Sequence, residues 1–252
     1  MSKLQPLTIE LSELDRLRFG VVTACANATG VADVARADAF CKANAVRLLM
    51  VRCPTSAIEV VQELERDGAQ LTDCLVRYRR DLQKYALQDT GDLGWIREAR
   101  SEDVGGIAAV AARAFDNYGG HYHADSRLKR EDADEVYRDW ALRSCTDKGV
   151  ADCVFAAWDN DAIVGFITTR RNSPSETESV LGAVVPGAQR RGILNALCVR
   201  ALQWSLHIGA RHSIASTRVS NIAPQKVLLR NRYEVLASCY VIHKWYDSPT
   251  GA

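Results

Sequence analysis

Ser179-Val180-Leu181-Gly182-Ala183-Val184-Val185-Pro186-Gly187-Ala188-Gln189-Arg190-Arg191-Gly192-Ile193-Leu194 is the stretch on which the fold turns. It begins as an apolar run, breaks at a Pro-Gly pair, and resumes as a helical pattern that continues to about His207. A helix that opens on a glycine turn leaves its first backbone N–H groups without intrahelical partners, at the positive end of the helix dipole. Such a place holds phosphate, and Arg190 and Arg191 add charge beside it. A strand, a loop with one glycine and a helix form a common arrangement, so the surrounding chain has to narrow the reading.

Downstream, Ser213-Ile214-Ala215-Ser216-Thr217 reads as a strand, and Asn221-Ile222-Ala223-Pro224 opens another helix. Upstream, residues 153–158 and 163–168 read as strands joined by an Asn160-Asp161 turn. Helices are expected over 131–143 and from Ser101, where Glu102 and Asp103 suit the first turn. The N-terminal half alternates differently: a strand over 19–25, a helix over 31–43 and a strand over 46–51. A helix capped by Thr55 and closed by Gly68 follows, then a strand over 70–78. That is a small βαβαβ pattern without a phosphate loop. The turn-rich residues 88–94 form the joint, which divides the chain into a small α/β domain over 1–90 and a second domain over 94–252. Residues 71–76 also echo residues 236–241, a match that two amphipathic strands can reach by chance.

Composition bounds the function. The 252 residues suffice for two modest domains, and 47% apolar with 25% charged residues is ordinary globular usage. Thirty-two Lys and Arg against 31 Asp and Glu give no field to hold a polyanion, which disfavours nucleic acid. No run of roughly 18 apolar residues suggests a membrane span, and the first residues lack a signal-peptide core. The eight cysteines form no C-x-x-C pair, so neither a zinc ribbon nor a thioredoxin motif is expected. Most sit among apolar neighbours as small core residues, and a reducing cytoplasm is the expected compartment.

Val184-Val185-Pro186, the Gln189–Leu194 loop and Asn221-Ile222-Ala223 together resemble the GNAT superfamily of N-acetyltransferases, over about 150 residues from Ile96 to Trp245. The resemblance implies an α/β fold with a mixed sheet splayed at one point, flanked by helices, with acetyl-CoA in the gap as co-substrate. Backbone groups of Ala183, Val184 and Val185 would then pair with the pantetheine arm, and an N–H near Val185 would polarise the thioester carbonyl. Gln189 and the amides of Arg190, Arg191, Gly192, Ile193 and Leu194 would hold the diphosphate, with Asn221 contributing from the later helix. Two positions depart from the family pattern. Leu194 stands where Gly or Ala is usual, and Leu228, seven residues after Asn221, stands where a proton-donating Tyr is frequent.

The order of a small α/β half and a GNAT half is similar to that of TDP-fucosamine acetyltransferases and related sugar-nucleotide N-acetyltransferases. Arg18-Phe19-Gly20, Ser126-Arg127-Leu128, Tyr137 with Trp140, residues 216–223 and His243-Lys244-Trp245 carry that likeness. It implies an amino-deoxy sugar on a nucleotide as acceptor, with Tyr118, His121, Tyr122, His123 and Arg127 as contacts for its base and phosphates. For the proton donor, Tyr233 and Tyr240 replace the missing tyrosine in sequence, Tyr240 being the preferred one. Glu178, or Glu176, leads into the cofactor strand and is the candidate base. Two histidines without carboxylate or cysteine support argue against a metal site. The alternatives are a GNAT enzyme acting on another small amine or a protein lysine, and a non-catalytic acyl-CoA-binding module. The sequence leaves a homodimer open.

Overall fold

The computed structural model describes residues 7–116 and 118–246. Along the chain the elements are β1 (Thr8–Leu11), α1 (Glu13–Phe19), β2 (Thr23–Asn27), α2 (Val31–Ala43), β3 (Leu48–Pro54), α3 (Ile58–Arg66) and β4 (Gln70–Asp81). Next come β5 (Ile96–Glu98), α4 (Val104–Ala114), α5 (His121–Ala124), α6 (Arg130–Thr146), β6 (Cys153–Asp159), β7 (Ala162–Ser173) and β8 (Glu176–Val184). The last are α7 (Ile193–His207), β9 (His212–Arg218), α8 (Ile222–Arg230) and β10 (Glu234–Trp245). The architecture is mixed α/β, with helices flanking sheet.

Two expectations shift at the N-terminus. Phe19 ends a helix instead of starting a strand: the Ser12 side chain accepts from the Asp15 N–H at its start, and Gly20 closes it at φ +68°. Thr55 does not cap α3. Its hydroxyl meets that of Ser238 at 2.7 Å, and Ala57 takes the cap position without a side-chain bond.

The chain forms two compact units, each interleaved in sequence. The first takes residues up to 75, 119–133 and those from 237 on. Its strands run β1-β2-β3-β10-β4, with β2 and β3 parallel and β10 antiparallel to β3. The two echoed segments are thus neighbours in this sheet, where the Thr72 hydroxyl donates to the Val241 carbonyl. Alternation along the strands sorts the side chains. Ala24, Ala26, Leu49, Val51 and Ile242 enter one core with Val34 of α2 and Val60 and Leu64 of α3. The residues between them, Cys25, Met50 and His243, stand in register on the other face.

The second unit takes residues 76–118 and 134–236, with strands in the order β4-β9-β8-β7-β6-β5. Helix α4 packs on β7 and β8, and α7 on β6, β7 and β8. Gly165 lets α7 close on the sheet, since a Cβ there would lie 3.2 Å from the Leu197 side chain. Arg80 of β4 is buried, and its guanidinium donates to the carbonyls of Asn231, Tyr85 and Ala86. These bonds fasten the turn that follows α8 and the segment at residues 85–86 to β4.

Strand β8 pairs with β7 along its whole length but changes register midway: Ser179 faces Thr169, Leu181 faces Thr168, and Val180 has no opposite residue. This is a β-bulge, which bends the strand that carries it. The buried Leu181 N–H, displaced from the ladder, donates to the Thr168 hydroxyl at 3.0 Å. On its other side β8 pairs with β9 in parallel from Glu176–His212 to Ser179–Ala215 and no further. The parallel pairing stops one residue before the bulge.

Replacing Thr168 with valine keeps shape and removes that acceptor, leaving a buried N–H unpaired. Thr168→Val is expected to lose about 1–2 kcal/mol in urea unfolding, and Thr168→Ser less. Equal losses would show that the hydroxyl does not hold the bulge.

Candidate functional site

Where β8 and β9 part, the second unit has a cleft of about 90 Å³. Val180, Leu181 and Gly182 line it from β8, Ser216 and Thr217 from β9, Leu194 from α7, and Pro224, Val227 and Leu228 from α8. The Leu194 side chain reaches over Gly182, where a Cβ would lie 3.8 Å from its Cδ1. The lining is mostly hydrocarbon and suits an acyl chain or a pantetheine arm.

After Val184 the chain makes a short 3-10 turn, Pro186–Ala188, and passes through left-handed residues at Arg190 (φ +63°) and Gly192 (φ +83°) into α7. Gly192 is the N-cap and supplies no side-chain acceptor. The first amides of α7, from Ile193 on, therefore lack the cap that Ser or Asp would provide, which suits a phosphate. Arg190 is exposed. Arg191 is ion-paired with Asp159 at 2.8 Å, so its charge is already partly matched.

Other residues singled out in the sequence fall as follows. Ala183 and Val184 end β8 and are buried. The Val185 N–H donates to the Val164 carbonyl at 2.9 Å and is used within the sheet. The Gln189 amide turns back to the Val184 carbonyl at 3.2 Å. Asn221 is the N-cap of α8, its carbonyl accepting from Gln225. Glu178 accepts from Arg170 at 2.8 Å and from Asn172 at 3.1 Å, and Glu176 lies 4.0 Å from Arg77. Tyr233 is buried against the Ser213 hydroxyl, and burial pushes its phenol up, away from proton release. Cys198, in the cleft wall, is pushed up to about 12 by burial, so it stays a thiol. Tyr118 sits in an aromatic cluster with Phe115 and Tyr137, with the Arg218 guanidinium 5.7 Å from its ring centre.

In the first unit, Tyr240 faces Cys53 across β3 and packs partly buried against that unit's core. His121, Tyr122, His123 and Arg127 are brought together with residues the sequence reading did not single out as site residues. Asp125, 2% exposed, accepts from His243 Nδ1 at 2.7 Å, Trp245 Nε1 at 2.9 Å and the Arg127 N–H at 3.0 Å. His243 Nε2 in turn meets His121 Nδ1 at 3.0 Å. The Arg127 guanidinium lies 4.3 Å from the Trp245 ring centre. Tyr122 rests on Phe19 and donates to Asp15 at 3.2 Å. Burial alone would raise the Asp125 carboxyl, but the bonds from His243, Trp245 and Arg127 outweigh it and hold the group below its ordinary value. No signal in the sequence ties Asp125 to His243, which lie 118 residues apart.

Among the described residues no group of three or more His, Cys, Asp or Glu could hold a metal ion, and no helix is long and apolar enough to cross a membrane. Residues 120–230 match the model of the acetyltransferase (GNAT) family. The matched region includes the bulged strand, the parting and the glycine-capped helix. Solved structures share the fold. A GCN5-related N-acetyltransferase from Sphaerobacter thermophilus superposes with a TM-score of 0.63 at 12% identity, over 95% of this chain and 76% of that one. One from Kribbella flavida gives 0.58 at 13%, over 91% and 82%. A glucosamine N-acetyltransferase region of a fungal multi-domain GH3 β-N-acetylglucosaminidase gives 0.55 at 12%, over 77% of this chain and 25% of that protein. No curated protein matches by sequence.

The depressed carboxyl of Asp125 sets a pH dependence. A group whose folded pKa is lowered stabilises the fold above its unfolded value, about 3.9, and the contribution fades as pH falls through the folded value. Asp125→Asn is expected to cost about 1–3 kcal/mol at pH 7, because the donors from His243, Trp245 and Arg127 lose a charged acceptor. The gap to wild type should narrow below about pH 4 in urea titrations. A gap that stays constant down to pH 3 would show that the carboxylate charge is not what stabilises this cluster.

Proposed function

We propose that the protein is an N-acetyltransferase that takes its acyl group from acetyl-CoA and passes it to the amine of a nucleotide-linked, TDP-type amino-deoxy sugar. The observation that carries the acyltransferase reading is the parting of β8 and β9 at the Val180 bulge, with an uncapped, glycine-led helix N-terminus following it in the chain. Acetyl-CoA supplies an acyl group activated as a thioester. Leu181, Leu194, Val227 and Leu228 give the apolar wall, and the amides opening α7 suit its diphosphate.

The acceptor amine attacks the carbonyl, the C–N bond forms, the C–S bond breaks, and the thiolate takes a proton. Leu228 lines the cleft at the family's donor position and has none to give. Ser216 and Thr217 are hydroxyl-bearing residues of the same cleft, and solvent supplies the rest. Glu178 is bound to Arg170, which makes it a weaker choice of base than the sequence suggests; an amine near neutral pH needs only modest help. Tyr240 and Asn221 stand as the remaining sequence candidates.

The sugar-nucleotide acceptor rests on the resemblance and on surfaces that fit such a ligand. Arg127 stacked on Trp245, close in sequence to His121, Tyr122 and His123, offers a cation and an aromatic face in the first unit. Tyr118 under Arg218 offers the same in the second. A structural neighbour described as acting on glucosamine is compatible with an amino-sugar acceptor, though at 12% identity it shares only the fold. Leu194 and Leu228 favour the second reading, an acyl-CoA-binding module without turnover.

Calorimetry with acetyl-CoA is expected to show binding by the wild type that Gly192→Trp abolishes. No binding by the wild type would remove the acyltransferase proposal. If turnover with TDP-amino sugars is slow, Leu228→Tyr, which puts a phenol on the cleft wall, should raise kcat by about tenfold or more with little change in KM for acetyl-CoA. An unchanged kcat would place proton donation elsewhere.

A further inference from the structure

The first unit holds a second cavity, of about 140 Å³, on the sheet face opposite α2 and α3. Register builds its floor. Glu10, Cys25 and Met50 stand side by side across β1, β2 and β3, and one step along, Thr8, Asn27 and Arg52 do the same. His121 and Tyr122 of α5 line the cavity with them.

The two formal charges of this floor are opposite and unmatched. Neither Glu10 nor Arg52 has an ion-pair partner among the described residues. They are two strands and one two-residue step apart, roughly 12 Å between Cα atoms, and they form no ion pair with each other. His121 brings a third polar group, and it is not an isolated imidazole. Asp125, held ionised by three donors, fixes the proton of His243 on Nδ1, so His243 Nε2 can accept from His121 Nδ1–H. In that tautomer His121 Nε2 carries the lone pair. A buried Asp–His pair is costly to desolvate, and here it ends on a half-buried histidine at a cavity wall.

We propose that this cavity binds a small free amino acid. Its carboxylate pairs with Arg52, its ammonium with Glu10, and the ammonium also donates a hydrogen bond to His121, oriented by His243 and Asp125. Size limits the class: a cavity of about 150 Å³ holds benzene, so the space fits roughly six to eight heavy atoms and excludes a nucleotide. The apolar remainder of the wall, Met50 and Val241, tolerates a short side chain. Cys25 is pushed up to about 11, chiefly by burial, and takes part as a thiol wall rather than a nucleophile. This inference does not depend on the acyl-transfer reading.

Saturation-transfer NMR and calorimetry on the full chain, with glycine, L-alanine, L-serine and L-threonine as probes and propionate and ethylamine as half-ligands, test it. At least one amino acid should bind, about tenfold or more tighter than either half-ligand. Arg52→Ala should erase its advantage over ethylamine, and Glu10→Gln its advantage over propionate. Both positions are exposed, so the fold should survive, with Tm as the check. His121→Gln should weaken the amino acid and leave propionate unchanged. No binding by any of the four, affinity unaltered in both charge variants, or propionate bound as tightly as the amino acid would each overturn the proposal.

Discussion

The hydrogen bond from the Leu181 N–H to the Thr168 hydroxyl is a small contact on which the geometry of the second unit depends. An extra residue in a strand costs a ladder bond and leaves a buried donor in need of a partner. Thr168 supplies it from the neighbouring strand, so the bulge at Val180 is satisfied rather than strained. Beyond that point β8 keeps its pairing with β7 and has no register with β9. Upstream, the Thr177 hydroxyl meets Ser205 of α7 at 2.8 Å and the His212 carbonyl of β9 at 3.4 Å, so β8, α7 and β9 are tied together just before the strands diverge. The cleft is therefore bounded by a tied end and an open one.

What the cleft can do follows from which groups the backbone has already used. The Val185 amide is committed to Val164, whereas the first amides of α7 have no cap because Gly192 has no side chain to offer. Polar recognition at this site is thereby shifted to the helix terminus, and the cleft wall is left apolar. Leu194 and Leu228 strengthen the division: one leans over Gly182, the other is buried on the wall, and neither carries a proton. A site built this way offers a ligand backbone donors and hydrocarbon rather than acid–base side chains.

The sequence reveals the second unit's elements better than the first's, for a physical reason. The bounds of α7 and the hairpin around Asn160 are written in local periodicity and turn residues, and they appear as expected. The bulge is not local. It needs two strands in register, and a threonine opposite a leucine gives no pattern in one dimension. In the first unit the βαβαβ pattern is legible, yet β10 enters beside β3 from the far end of the chain, and residues 119–133 join the same unit. The Asp125–His243 pair is a product of that long-range pairing. His121 carries no local sign of its role because His243, the partner that meets its ring, lies 122 residues away.

The two units also differ in where their specificity resides. In the second, the strand parting and the glycine-led helix start that define the site are features of the backbone. In the first, Glu10, Arg52 and His121 derive their meaning from charge and from one tautomer, set by Asp125. Burying Asp125 and His243 keeps water from competing for the bond between them, and the same burial makes the arrangement intolerant of loss. A charge network of this kind adds little that a hydrophobic core could not supply more cheaply in stability. Its place beside a polar cavity fits the proposed occupant, whose ammonium would donate a hydrogen bond to His121.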